Sequence, residues 1–325
     1  SALFIPPAAV IHGYQQLLRL SGKDLSVAFP DGTWQFYLEF ALREDSARHA
    51  NETIGFNTHM LHLRPESALA AWLMTSAQFL KLLPSILENE WRERTFCKLM
   101  VEHGAGRVPV DIYTRWEKVR PFGRDKITEE DFSHFRRKKF DEFIAPYIRS
   151  LDEVGKREVA IGFKVASERD LASYQYQLSW LATLEPNNYN ETRVHYPFSE
   201  AYIGVIRHGR YHLIPAEILL RPQMSHSAAQ AILHMPPQPM LPMVDDVMVI
   251  TPRSLHQSLY EQLDSLTQRE IAMLKKTPIL INWDERDSRH PLTWIRRGKR
   301  GIGDHPLTIF RTQDSFVFDQ SHIFF

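Results

Sequence analysis

AYIGVIRHGRYHLI, residues 201–214, is the stretch that decides the fold class of this chain. The side chains over residues 201–206 and again over 210–214 alternate in the manner of strands, which predicts two strands. His208-Gly209 supplies the two-residue connection of a β-hairpin between them. Up to this point the sequence has helical periodicity, so the hairpin marks a change from a helical region to one that contains a sheet.

Further strands and helices are expected after the hairpin. Short apolar segments predict strands at residues 246–251, 279–283, 307–310 and 316–318, and residues 225–234 and 252–275 have the periodicity of helices. Residues 185–200 contain two prolines and three asparagines and are interpreted as a linker. The expected fold class is α/β (α+β), a helical N-terminal region followed by a mixed sheet flanked by helices.

The N-terminal half is expected to be mainly helical. Helices are predicted over residues 7–19, 33–50, 128–145 and 167–181, and a further one begins at Pro65 and resumes after Pro84 to about residue 103. Pro84 is expected to end or kink that helix, and residues 107–127 to be irregular. We therefore divide the chain into a helical region, residues 1–150, and a mixed α/β region, residues 151–325.

Composition excludes several classes of function. The chain has 39 basic and 39 acidic side chains, so its net charge is zero, which argues against a nucleic-acid partner. Cys97 is the only cysteine, so no disulfide framework is expected and the chain is predicted to be cytoplasmic. The longest uncharged apolar stretch, residues 67–80, is too short to span a membrane. The missing initiator methionine and the apolar last residues suggest a fragment of a longer chain.

Two groups of charged residues are candidate binding sites. Asp45 and His49 stand four residues apart and could share a metal on one helix face, but a solvated, ion-paired face is the favoured interpretation, so no metal is predicted. Four cations, Arg296, Arg297, Lys299 and Arg300, lie among glycines without the order of a phosphate loop or a dinucleotide fingerprint. They could meet a phosphate or carboxylate, although a solvated turn is favoured.

The last segment carries a resemblance to a known family. Residues 307–322 are expected to form a strand, a polar turn and a second strand that ends near His322, where an imidazole can serve as general base. The element order over residues 201–214, 225–234, 247–250, 252–275, 279–284 and 307–322 resembles the first half of the choline/carnitine O-acyltransferase family. His322 and the three residues after it match the first four positions of that family's HxxxDG signature; the acid and glycine would follow Phe325.

The resemblance implies acyl transfer between a coenzyme A thioester and a small alcohol. Coenzyme A would be a co-substrate, no cofactor would be bound covalently, and His322 is the one residue carried over as catalytic. The alternative from another class is a non-enzymatic protein-interaction module, which predicts a buried His322 and an exposed apolar patch.

Overall fold

A computed structural model describes residues 63–121, 132–186, 191–237, 244–287, 289–313, 315–321 and Phe324. The helices within these ranges are α1 (Pro65–His103), α2 (Ile112–Val119), α3 (Phe132–Ser150), α4 (Glu153–Ala166), α5 (Ala172–Leu178), α6 (Ala216–Leu219), α7 (Pro222–His234), α8 (Val244–Ile250), α9 (His256–Glu261), α10 (Ser265–Lys275) and α11 (Leu292–Ile295). The strands are β1 (Ala182–Pro186), β2 (Glu191–His195), β3 (Tyr202–Arg207), β4 (Arg210–Pro215), β5 (Ile279–Arg286), β6 (Leu307–Thr312) and β7 (Phe316–Gln320).

The main sheet has five strands in the order β4-β3-β5-β6-β7. The three central strands, β3, β5 and β6, are parallel, and the two edge strands are antiparallel to their neighbours. A separate two-stranded antiparallel ladder joins β1 to β2. Together with the helical region before it, this mixed sheet confirms the expected α+β class.

Each face of the sheet is covered by a different set of helices. On one face, Ile203, Ile281 and Phe316 belong to a core that also contains Leu69 and Leu73 of α1 and residues of α7. Trp72 of α1 packs edge-on against Phe316, with ring centroids 5.0 Å apart. On the opposite face, residues of β3, β4 and β5 form a core with residues of α8, α10 and the β5–β6 connection, namely Ile206, Tyr211, Leu280, Met248, Ile271, Leu274 and Ile302.

Helix α1 is 39 residues long and takes part in two cores. Its first half covers the sheet, whereas Cys97 and Met100 in its second half pack with Trp116 of α2 and Phe140 of α3. The division of the chain near residue 150 stays a prediction.

A buried ionic network fastens α3 to the second half of α1. Arg136 of α3 donates two hydrogen bonds to Glu93, of 2.8 and 2.6 Å, and one of 2.6 Å to Glu90. The Glu93 side chain is only 1% exposed, so its charge depends on Arg136 for compensation.

Several expectations about helices were correct in place but wrong in extent. Helix α1 begins at Pro65 and ends at His103 as predicted. Pro84 does not end it, because Leu80 and Leu83, in the turn before Pro84, are buried and hold the helix to the core. The helix predicted over residues 128–145 continues to Ser150. The predicted helices at residues 7–19 and 33–50 lie outside the described residues.

The helix expected to start at Ser167 starts earlier. Asp152 caps α4 by accepting a 2.8 Å hydrogen bond from the Gly155 amide, and the chain continues through a π-helical turn, Ser167–Leu171, into α5. Asp152, as the capping residue, sets the start of this helix. The acids after Ser167 lie within the helical stretch and do not start a new helix.

Two segments expected to be irregular are ordered. The range 107–127 contains α2, because Ile112 and Trp116, four residues apart, bury one helix face. The expected linker at residues 185–200 contains the end of β1 and all of β2, a hairpin that the polar composition did not indicate.

Two predictions in the sheet region were also wrong. Residues 246–251 belong mostly to a helix, α8, because Asp245 and Met248 are buried with helical spacing and the acids occupy the first turn. The single helix predicted over residues 252–275 is divided, because Asp264 accepts hydrogen bonds from the amides of Leu266 and Thr267 and so begins α10 anew.

Candidate functional site

A cleft of about 1110 Å³ opens on the sheet face opposite α1. Three residues that alternate along β5, Asn282, Asp284 and Arg286, line it from the sheet. The β5–β6 connection and α8 form its other walls. In sheets with parallel strands, ligands bind beyond the carboxyl ends of the strands, and the end of β5 is such a position.

Asp284 organises the sheet edge of the cleft. Its two carboxylate oxygens accept hydrogen bonds from the backbone amides of His208, at 2.6 Å, and Gly209, at 2.8 Å. Both turn residues have positive φ, 52° and 69°, as a tight two-residue hairpin requires. The Asp284 carboxylate therefore stabilises the β3–β4 turn, and both of its oxygens are engaged by backbone N–H donors.

The β5–β6 connection is held in place by one buried histidine. His305 Nδ1 lies 2.6 Å from the Thr277 carbonyl oxygen and its Nε2 accepts from the Ile302 amide, so the ring is neutral with the proton on Nδ1. Burial lowers the pKa of His305 to about 4. A Cβ on Gly301, which has φ +72°, would fall 2.0 Å from His305 Nε2, so only glycine fits there.

Ion pairs to distant carboxylates fix three of the cations on this connection. Lys299 Nζ lies 3.2 Å from Asp245 and 3.6 Å from Asp246, both on α8. Arg300 lies 3.0 Å, and Arg296 3.9 Å, from the Asp319 carboxylate on β7. These pairs hold the connection across the sheet face.

Asp245 is the most buried charge at the site, with its side chain 2% exposed. Its Oδ2 accepts a hydrogen bond from the Tyr211 hydroxyl, while its Oδ1 has no hydrogen-bond partner among the described residues. Burial and the neighbouring Asp245 raise the pKa of Tyr211. Tyr211 therefore stays a neutral donor, and Lys299, whose Nζ also lies 5.2 Å from the Tyr211 ring centre, compensates the carboxylate.

Positive charge predominates in the cleft. Three carboxylates line it, those of Asp246, Asp284 and Asp319. Five cations line it: Arg286, Arg296, Arg297, Lys299 and Arg300. Among the described residues no carboxylate pairs with Arg286 or Arg297, so the cleft is suited to an anion.

The sequence-predicted sites have different outcomes. The basic run at residues 296–300 does line a cleft, together with Arg286, which the sequence analysis did not single out. The sequence does contain a signal for Arg286, because β3 and β5 each end on an arginine and β6 carries Arg311 next to its end. His322, the candidate catalytic residue, and the pair Asp45 and His49 lie outside the described residues.

The described residues contain no group of three or more histidine, cysteine or carboxylate side chains placed to hold a metal ion. No helix within them is long and apolar enough to cross a membrane.

Comparison with known proteins identifies no relative: no family model, curated protein or solved structure matches this chain.

Proposed function

We propose that the protein transfers an acyl group between a coenzyme A thioester and a small alcohol, with His322 as the general base. The observation that supports this most is the cleft, which combines a surplus of cations with enough volume for an extended, phosphate-bearing ligand. Anionic thioesters of coenzyme A belong to that class of ligand.

Strand register gives the length of the cleft along the strands. Asp319, which lines the cleft, is paired with Thr308, and Thr308 with Leu280, six residues before Arg286. At about 3.3 Å per residue, Asp319 and Arg286 are therefore roughly 20 Å apart along the strands. Because β7 runs antiparallel to β6, Gln320 is paired with Leu307 at the start of β6, so β7 ends at the side of the sheet opposite Arg286. The proposal therefore requires a ligand that extends from Arg286 along the full length of the cleft.

The chemistry would follow a single general-base step. The His322 imidazole takes the hydroxyl proton of the alcohol while the oxygen attacks the thioester carbonyl. The C–O bond forms, the C–S bond breaks as the tetrahedral intermediate collapses, and the imidazolium returns its proton to the departing thiolate. General-base catalysis of this kind contributes about 10²–10⁴-fold.

The test is a thioester assay on the full chain, including any residues that follow Phe325 in the natural protein. Release of free coenzyme A from acyl-CoA is followed with a panel of small alcohols for the parent protein, His322→Ala and a control, His234→Ala, whose ring is exposed at the end of α7. Alcohol-dependent release that is lost in His322→Ala alone supports the proposal. No release from the parent protein with any alcohol contradicts it.

A second candidate is a module that binds a partner protein without catalysis. Helix α8 favours it, because Val247 is 49% and Ile250 82% exposed on this short helix. If this alternative is correct, Ile250→Ser removes partner binding. Neither the parent protein nor any of its variants then releases coenzyme A from acyl-CoA.

A further inference from the structure

Arg286 has no carboxylate partner among the residues that the structure describes. Its guanidinium lies against the backbone of the β5–β6 connection, since a Cβ on Gly298 would fall 2.5 Å from one of its terminal nitrogens. Its Nε is buried and has no hydrogen-bond partner among the described residues. A buried guanidinium nitrogen without an acceptor is costly, and a bound anion would relieve that cost.

Arg297 provides a second cation in the same cleft. It precedes Gly298, the residue against which the Arg286 guanidinium rests, and it lines the same cleft. No carboxylate among the described residues pairs with it. Lys299 and Arg300 are paired closely with Asp245 and Asp319 and fix the connection. Arg296 lies 3.9 Å from Asp319, and its buried Nε has no hydrogen-bond partner among the described residues, but that carboxylate still compensates its charge. Arg286 and Arg297 have no such carboxylate among the described residues, so these two arginines are the cations assigned to a ligand.

We propose that Arg286 and Arg297 bind the two linked phosphates of a diphosphate-bearing ligand. A guanidinium presents paired N–H donors that match phosphate oxygens, and two guanidiniums in one cleft supply donors for two phosphates. Gly298, which follows Arg297, admits the Arg286 side chain, which any larger residue would displace. The assignment of these phosphates to coenzyme A rests on the proposed function, whereas the anion site does not require acyl transfer.

The structure argues against an ordinary solvated turn here. A solvated turn needs no buried anchors, yet Asn282 donates a 2.8 Å hydrogen bond to the Lys299 carbonyl and His305 accepts from the Ile302 amide. Gly298 is buried and Lys299 is 15% exposed. The connection is therefore pre-organised, which reduces the ordering cost of binding.

The site is tested by calorimetric titration of the full chain at low and physiological ionic strength. The probes are inorganic diphosphate, coenzyme A and ADP, and the variants are Arg286→Met, Arg286→Lys and Arg297→Met. The matched control is Arg289→Met, because Arg289 is 87% exposed and bound to Asp287 in the same connection. Circular dichroism and thermal melting show that each variant is folded.

We expect inorganic diphosphate to bind the parent protein, with affinity that falls as salt rises. Arg286→Met and Arg297→Met should each weaken binding at least tenfold, Arg286→Lys by an intermediate factor, and Arg289→Met by less than twofold. Parent protein that binds none of the probes, or folded Arg286→Met with unchanged affinity, overturns the site. Coenzyme A that binds through Arg286 without any acyl transfer leaves the site standing and removes the proposed function.

Discussion

Gly298→Ala should weaken anion binding without changing any charge. The added Cβ would lie 2.5 Å from a terminal nitrogen of Arg286 and 2.6 Å from its Cζ, whereas ordinary contact begins at 3.4 Å. The guanidinium must therefore withdraw by about 1 Å. The backbone of Gly298 does not have the positive φ that would strain alanine, so the effect is confined to the neighbouring side chain.

A displacement of that size breaks hydrogen bonds to an anion. Guanidinium–phosphate bonds have lengths of about 2.7–2.9 Å, and a further 1 Å takes them beyond hydrogen-bonding distance. Loss of hydrogen bonds to a charged group costs about 1.5–3 kcal/mol, which corresponds to roughly 10- to 100-fold in Kd. The Kd for inorganic diphosphate is measured by titration calorimetry, beside a thermal melt that reports folding.

Gly162→Ala is the matched control. It adds the same methyl group to α4, far along the chain from the cleft, where the nearest atom is a terminal methyl carbon of Leu99 at 3.0 Å. That side chain can rotate away, so the Kd should stay within twofold of the parent value. Folded Gly298→Ala with the parent Kd would refute the reasoning, since Arg286 could then not be the group that contacts the anion.

Three further predictions concern stability and reactivity. Burial alone would raise the pKa of Glu90, but hydrogen bonds from Tyr113, Arg136 and Arg94 lower it to about 2. The ionised Glu90 therefore stabilises the folded state above the ordinary pKa of 4.5, and this contribution is lost as the pH falls towards 2. Urea unfolding midpoints measured from pH 6 to 3 should fall less steeply for Glu90→Gln than for the parent protein. Burial raises the pKa of the Cys97 thiol to about 12, so Ellman's reagent at pH 8 should label it only after unfolding, and rapid labelling of native protein would contradict the buried position. Gly209→Ala places a side chain at φ 69° and should lower stability by about 1–2 kcal/mol, whereas His208→Gly removes one at φ 52° and should raise the melting temperature.

The strands were predictable because their signal is local. Residues 279–283 and 307–310 are apolar except for Asn282 and Thr308, which is typical of parallel strands buried on both faces. The hairpin at residues 208–209 was predictable from its turn residues. Helix α8 was not, because a short apolar run has no distinct period, and the buried contacts of Met248 decide between helix and strand.

The candidate site was predictable only in part. The run of cations at residues 296–300 is visible in the sequence, and so is its lack of a phosphate-loop order. The position of these cations in the cleft depends on ion pairs with residues far away in the sequence. Asp245 pairs with Lys299, 54 residues later, and Asp319 pairs with Arg300, 19 residues earlier. Arg286 joins the cations only because β5 places alternate residues on one face and because Gly298 leaves room for it.

A chain with zero net charge can still bind an anion, because the relevant charge is local. At physiological ionic strength exposed charges are screened beyond about 8 Å, so distant acids have little influence on the cleft. Inside it, Asp245, Asp246 and Asp319 neutralise the cations that fix the connection, and Arg286 and Arg297 remain for a ligand. Zero net charge argues against an extended phosphate surface of the kind that binds nucleic acids. It is compatible with two guanidiniums that recognise one diphosphate group, and binding there should depend on those two residues far more than on the charge of the whole protein.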